Sequence, residues 1–329
     1  MPGHQSTGCP AFGQVGTMLD FSASASIASV ESTTGGLGSQ ILKYILSLNL
    51  IPPSQIIISL YNTSSARTDL PSGVQIRQGD FSRPESLDVA FAGADTLLLV
   101  SYPSIAHKLR VDSHVNAIDA AKRAGIKRIY YTSLAFADGS VSAVMQAHLD
   151  TEAYLKQSGL AYTIVREGIY AESYPLYLGF FDSSKGVDDI YVPGDGPIAW
   201  VSREDLGEGM ARLIASGTNE NQTILFSGPP SNKLTLREVA TLLSHCLSRP
   251  LALHIVDVEE YVQRFHDETS PWATEAFLRA WAKTFDAMAR GETGKVDDLL
   301  ERILGRPLRS VEEVVRNKLD QEAVTQYAK

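Results

Sequence analysis

Residues 32–38 read Ser-Thr-Thr-Gly-Gly-Leu-Gly, a glycine-rich turn set between an apolar run at 26–30 and an amphipathic segment at 37–48. The run predicts a strand and the segment a helix. A tight glycine turn joining a strand to a helix is the context in which a dinucleotide fingerprint has physical meaning. Backbone N–H groups at the helix N-terminus, unshielded by Cβ atoms, can cradle a pyrophosphate. The spacing is the G-x-x-G-x-x-G variant, with Ser32 where the first glycine belongs and Gly35 and Gly38 in their places. Ser32 either crowds a ligand or donates a hydrogen bond to it. A Gly-to-Ser exchange is mild where φ is negative and costly where it is positive.

The same alternation continues through the first half. Apolar, β-rich runs at 26–30, 55–59, 74–77, 96–100, 128–131 and 161–165 alternate with helical patterns at 39–48, 84–92, 109–124 and 144–158. Such alternation predicts a parallel sheet with right-handed crossovers. Continuous apolar runs such as Thr96-Leu-Leu-Leu-Val100 suit strands covered on both faces. The expected fold class is α/β, a doubly wound Rossmann-type sheet with a smaller, mostly helical C-terminal substrate lobe. The expected organisation is a flexible extension over 1–22, a nucleotide-binding domain over 23–227 and the small lobe over 228–329, with 166–200 contributing to the cleft. The later elements are a helix at 203–216, strands at 222–226 and 251–256, and a helix at 235–247.

An apolar fraction of 44% and a charged fraction of 20% are those of an ordinary globular protein, and the net charge of −9 disfavours a nucleic-acid partner. No stretch approaches the ~20 apolar residues that cross a bilayer, and the first 20 residues have no signal-peptide pattern. The two cysteines and scattered histidines show no ligand spacing, so no metal is expected. These features lead us to expect a cytoplasmic protein, monomeric or homodimeric, without membrane or nucleic-acid partners.

An ordered series of short motifs carries a family resemblance. It runs through Thr34-Gly35-Gly36-Leu37-Gly38, Gln78-Gly79-Asp80-Phe81, Leu97-Leu98-Leu99-Val100-Ser101 and His114-Val115-Asn116-Ala117. It continues with Tyr131-Thr132-Ser133-Leu134, Ala147-His148-Leu149-Asp150-Thr151-Glu152, Tyr162 to Tyr170, Gly194-Asp195-Gly196 and Ser202-Arg203-Glu204-Asp205. Together they resemble the NmrA-like branch of the atypical short-chain dehydrogenases, and most of all its quinone oxidoreductases and triphenylmethane-dye reductases. The resemblance implies NADPH lying across the strand ends. Ser32, Thr34, Gly35, Gly36, Leu37 and Gly38 would hold the pyrophosphate, and Asp80 and Phe81 would flank the adenine. Ser101 and Tyr102, with Thr132 and Ser133, would line the nicotinamide side. Residues 166–170 would form the far wall.

The chain departs from the pattern in two further ways. After the second strand, Leu60-Tyr61-Asn62-Thr63 offers no acid for a ribose, which leans toward NADP. Arg67 is the available 2′-phosphate partner, though a solvent-facing loop arginine would read the same way. Nor does any tyrosine have a lysine four residues on, and Ala153 stands where some relatives have lysine. The chain is therefore poorly equipped for alcohol–ketone interconversion. A quinone, enone or extended aromatic cation avoids that need, because its reduced form is a stabilised anion or a neutral product.

Tyr170 and His148 are the candidate substrate-contacting or catalytic residues; an interior tyrosine and a structural histidine are the alternatives. Glu152, four residues after His148, lies on the same helical face, where a simple surface His–Glu pair explains the spacing equally well. Trp272, Phe277, Trp281 and Phe285 read as core rather than as a pocket. The expected function is NADPH-dependent hydride transfer to a conjugated carbonyl or aromatic small molecule, with a place in secondary metabolism. Two rivals remain: a regulator that senses the dinucleotide without turnover, and a degenerate nucleotide site performing isomerisation or cyclisation.

Overall fold

The computed structural model describes residues 27–31, 36–65, 70–270 and 273–327. Seven parallel strands form the main sheet: β1 (Ile27–Glu31), β2 (Ile56–Leu60), β3 (Gln75–Gln78), β4 (Thr96–Leu99), β5 (Arg128–Leu134), β6 (Ala161–Glu167) and, later in the chain, β9 (Gln222–Phe226). Their order is β3-β2-β1-β4-β5-β6-β9. Ile56–Leu60 and Leu97–Leu99 are buried throughout, as strands covered on both faces must be.

Helices α1 (Leu37–Ser47), α2 (Pro84–Phe91), α3 (His107–Ala124) and α4 (Ala143–Gln157) make the crossovers, and α6 (Arg203–Ser216) packs beside α1. One face of the sheet buries Leu37, Ile41 and Ile45 of α1 with Leu206 and Met210 of α6, while the other buries Leu87, Ile118 and Leu155. The winding direction reverses between β1 and β4. The carboxyl ends of these two strands therefore frame a crevice, the place where open α/β sheets bind ligands.

Beyond β6 the chain builds a second layer of structure. It contains α5 (Tyr174–Tyr177), β7 (Asp189–Val192), β8 (Ile198–Ala199), β10 (Lys233–Leu234), α7 (Leu236–Leu247), β11 (Ala252–Ile255), α8 (Val258–Phe265) and α9 (Glu275–Ala289). Two further helices follow: the short α10 (Leu299–Leu304) returns to pack on α6, and the long α11 (Val311–Tyr327) packs on α7. Strand β7 pairs with β11 in parallel and β8 with β10 antiparallel. The sequence reading missed β7, a four-residue strand whose partner lies some 60 residues downstream. Phe277, Trp281 and Phe285 are buried in the core of this layer with Trp200 and Tyr177, as expected of core aromatics, whereas Trp272 lies outside the described residues.

A buried carboxylate ties the last segment down. Asp205, fully buried at the start of α6, accepts from the Arg309 backbone N–H at 2.8 Å and pairs with the side chains of Arg306 and Arg309.

Candidate active site

Helix α1 points its N-terminus at the crevice from the carboxyl end of β1. Its N-cap, Gly36, is extended (φ −79°, ψ −179°), no side chain caps the helix, and the first turn holds no acid. Among the described residues the one side-chain bond at this end runs from Ser39 Oγ to the Gly36 carbonyl at 2.7 Å, so none of them gives the first-turn N–H groups a side-chain acceptor. An anion placed there would meet backbone N–H donors and the positive end of the helix dipole. Leu37 and Gly38 are buried against the sheet. Ser32, Thr34, Gly35 and Arg67 lie outside the described residues.

Past β3, Asp80 is committed to its own turn. Its carboxylate accepts from the Ser82 N–H and Oγ–H at 2.8 and 2.7 Å and from Arg83 Nε at 3.0 Å. The Ser82 hydroxyl, above all, holds it below the usual carboxylate range. The next residue, Phe81, meets Tyr102 edge to face with ring centroids 5.5 Å apart, and Asn116 Nδ2 holds its carbonyl at 2.8 Å. The two aromatic rings bring the β3 and β4 ends together as one wall of the crevice.

The loop after β4 is held by buried polar groups. Ser101 N–H donates to Thr132 Oγ1 at 2.9 Å, so the Thr132 oxygen is engaged within the sheet edge. Tyr102 N–H donates to His114 Nε2 at 2.9 Å, which puts the His114 proton on Nδ1, facing Thr151 Oγ1 at 2.9 Å. Burial, then the nearby Arg110, pulls His114 down to about 3, so it stays neutral.

Arg110, in the first turns of α3, completes this network and was not anticipated. Its Nε donates to the Ser104 carbonyl at 2.5 Å, and its Nη1 donates to Ser101 Oγ at 2.9 Å and to His148 Nε2 at 2.7 Å. A guanidinium can only donate. His148 Nε2 must therefore accept, leaving its proton on Nδ1 to bond Tyr131 Oη at 2.8 Å. His148 is 3% exposed, and burial, then Arg110, holds it well below the ordinary histidine range. Both of its nitrogens are engaged within the protein.

Ser133 and Glu152 depart from their expected partners. Ser133 Oγ donates to Glu152 at 2.6 Å, and Arg166 grips the same carboxylate through Nε and Nη2 at 2.9 and 2.7 Å. Glu152 is 2% exposed, so it forms no surface pair with His148. Helical spacing placed the two together, but the Arg166 fork on the adjoining strand offers the stronger bidentate bond.

Tyr170 lies beyond β6, bridged in parallel to Val201. Its hydroxyl donates to Glu167 Oε2 at 2.8 Å, and the Arg203 guanidinium sits 5.7 Å from its ring centroid. Glu167, the last residue of β6, is 1% exposed, and its Oε1 has no partner among the described residues. Burial pushes Glu167 up to about 8 against the opposing Tyr170 bond, and burial likewise raises Tyr170 well above the ordinary tyrosine range.

Sequence reasoning passed over Arg110 and placed Glu167 only within the wall at 166–170, yet each left a signal of its own. Arg110 has no acid three or four residues away on α3, unlike Lys108 with its Asp112 partner. Glu167 is a carboxylate at the end of a strand whose centre, Thr163–Val165, is buried. Among the described residues no group of three or more His, Cys, Asp or Glu side chains could hold a metal, and no helix is long and apolar enough to cross a membrane.

Comparison with known proteins agrees with this geometry. The NAD(P)H-binding family model matches residues 33–216. An NmrA-like family domain-containing oxidoreductase of Aspergillus flavus is 31% identical over 312 residues, covering 91% of this chain and 98% of that protein. The structure of Citrobacter sp. triphenylmethane reductase complexed with NADP(H) is similar at a TM-score of 0.76 and 31% identity, over 89% of this chain and 99% of that one. The NADPH-dependent quinone oxidoreductase of Escherichia coli complexed with NADPH gives 0.75 and 27%, over 88% and 99%. An uncapped helix at the switch point is what a nucleotide-binding sheet requires, and the match extends well past that sheet into the second layer. The chain is an NAD(P)H-dependent oxidoreductase and belongs to the NmrA-like family.

Proposed function

We propose that this protein uses NADPH to reduce a conjugated carbonyl compound, a quinone or an enone. One observation carries the choice of acceptor: no tyrosine of this chain has a lysine four residues on to make it a ready proton donor. Burial raises Tyr131 and Tyr170 well above the ordinary tyrosine range, His114 and His148 are neutral, Glu152 is locked to Arg166, and Glu167, pushed up to about 8, is engaged by the Tyr170 hydroxyl. An isolated ketone becomes a strongly basic alkoxide and needs a general acid beside it. A conjugated acceptor delocalises the charge and requires chiefly binding and orientation.

When bound, NADPH supplies the hydride. The open N-terminus of α1 would take its pyrophosphate, with Gly35, Gly36 and Gly38 allowing close approach. The Phe81–Tyr102 wall and the Thr132–Ser133 strand end would bound the rest, and Tyr170 would face the acceptor. His148 enters this reading as the residue that steadies Arg110. NADPH is favoured over NADH because residues 60–65 after β2 present no acid to repel a 2′-phosphate, with Arg67 as its partner.

The test is a fluorescence titration with NADPH and NADH, followed by menadione in the same cuvette. Tighter NADPH binding and acceptor-dependent loss of nicotinamide absorbance are expected. Binding without turnover across a panel of quinones and enones would favour a sensor, and absence of binding would overturn the reading.

A further inference from the structure

We propose that Arg110 is the anion-binding residue of this site, and that it takes the negative charge developing on the acceptor's carbonyl oxygen. The inference rests on the reductase reading above and adds the group that stabilises the product of hydride transfer.

Three features of Arg110 oppose keeping a cation there without an anion. The residue is only 8% exposed, and it forms no ion pair with any described residue. Burying an unpaired charge is costly, and buried arginines are ordinarily matched to carboxylates. Arg110 also lies in the first turns of α3, near the positive end of the helix dipole, where a cation is disfavoured. Finally, its hydrogen-bond partners are all neutral: a serine hydroxyl, a backbone carbonyl and an imidazole. Nε and Nη1 are spent on them, whereas Nη2 donates to no described residue.

The surroundings fix the guanidinium rather than neutralise it. His148 accepts from Nη1 and is itself oriented by Tyr131, while the Ser101–Ser104 loop is tied to His114 and Thr132. Two histidines that remain neutral beside an arginine let it keep its full charge. Tyr170, the candidate substrate contact, is close enough for its charge state to influence Arg110. A preoriented, buried cation whose described partners are all neutral is the arrangement that stabilises charge appearing in a transition state.

The chemistry balances as follows. Hydride adds to the electrophilic carbon of an enone, forming a C–H bond, while the C=C π pair shifts and the C=O π pair moves onto oxygen. NADPH becomes NADP⁺, the enolate or hydroquinone oxyanion rests against Arg110, and water supplies the proton that completes the product.

The experiment uses the NADP⁺ complex and 4-nitrophenol, whose phenol and phenolate forms differ in colour. In the wild-type protein the bound probe should titrate about one unit or more below the free probe, a tenfold or greater preference for phenolate. Arg110→Gln should abolish that preference and lower kcat with menadione about 100-fold, and Arg110→Lys should restore part of both. A purely structural arginine would lower the melting temperature without changing the phenolate-to-phenol ratio. An unshifted probe in wild-type protein overturns the assignment, whether or not the variants fold. So does an unchanged ratio in Arg110→Gln accompanied by weaker NADPH binding, which would assign the cation to the cofactor's phosphates. Phenolate selectivity without turnover of any acceptor supports the anion site and retires the reductase reading. Turnover without selectivity does the reverse.

Discussion

Gly207 in α6 presses against the backbone of α1, one turn from the helix end assigned to the pyrophosphate. A Cβ placed there would lie 2.5 Å from Gln40 Cβ, 2.9 Å from Gln40 C and 3.1 Å from Ile41 N. Two of those atoms are backbone, so rotating a side chain cannot relieve the clash. Restoring an ordinary 3.4 Å contact requires α1 to retreat by about 0.9 Å (3.4 less 2.5). Gly207→Ala should therefore cost about 1–3 kcal/mol of stability through overpacking. It should also draw the α1 N–H groups away from the phosphate. Losing one charge-assisted hydrogen bond weakens NADPH binding by about 1.5 kcal/mol, roughly tenfold in Kd. Gly209→Ala is the control. Two residues along the same helix, its Cβ meets Leu300 Cδ1, the movable end of a side chain on α10, and leaves α1 alone. Thermal unfolding and NADPH fluorescence titration of both variants decide the matter. If Gly207→Ala melts earlier than wild type while its NADPH Kd stays within about twofold, the α1 N-terminus is not the phosphate cradle.

Three further outcomes are expected. Glu167 has a folded-state pKa of about 8, raised by burial above that of an unfolded glutamate. Its stabilising contribution is complete below about pH 4 and declines as pH rises toward 8. The unfolding free energy of Glu167→Gln, measured by denaturant titration, should therefore gain on wild type across that window, by at most about 1.4 kcal/mol per pH unit, and a constant difference would contradict the assignment. Glu152→Ala strands the Arg166 fork and the Ser133 hydroxyl in a buried setting, so denaturant unfolding should show a loss of about 3–5 kcal/mol; Arg166 Nη1 also pairs with Asp138 at 2.5 Å, and a loss below about 1 kcal/mol would mean that this second partner alone satisfies it. Trp281→Ala empties a core position against Tyr177 and Phe285 and should cost about 3–5 kcal/mol in the same assay. A near-neutral result would identify that position as a collapsible cavity.

The sheet was legible because its strands are apolar runs bounded by turns, and such runs have few other places to go. The expected ends at 131 and 165 fell short of the observed Leu134 and Glu167, and the reason is physical. Thr132, Ser133, Arg166 and Glu167 extend the β5–β6 ladder, yet their side chains are polar, each held by a hydrogen bond or ion pair rather than by apolar packing. Apolar periodicity stops reading where polar pairing takes over. His148 and Glu152 show the complementary limit: helical spacing gave their common face, but Arg110 and Arg166, supplied by different elements, chose their partners. Arg110 itself stands among polar residues of α3, and only the folded structure reveals that no carboxylate among the described residues pairs with it.

The second layer is assembled from discontinuous pieces of chain. Its core draws on residues 136–145, 169–200, 234–288 and 311–315, with α6 and β9 completing the main sheet in between. Strand β7 waits for β11, and Val311, Val314 and Val315 supply part of the core almost at the end of the chain. During synthesis the seven strands of the main sheet can pair before Val311, Val314 and Val315 of the second core have been made. A protease clipping α11 would therefore strip these valines from the second layer and leave every strand of the main sheet in place. The two layers thus depend on different stretches of chain for their completion, and damage late in the sequence falls on one of them alone.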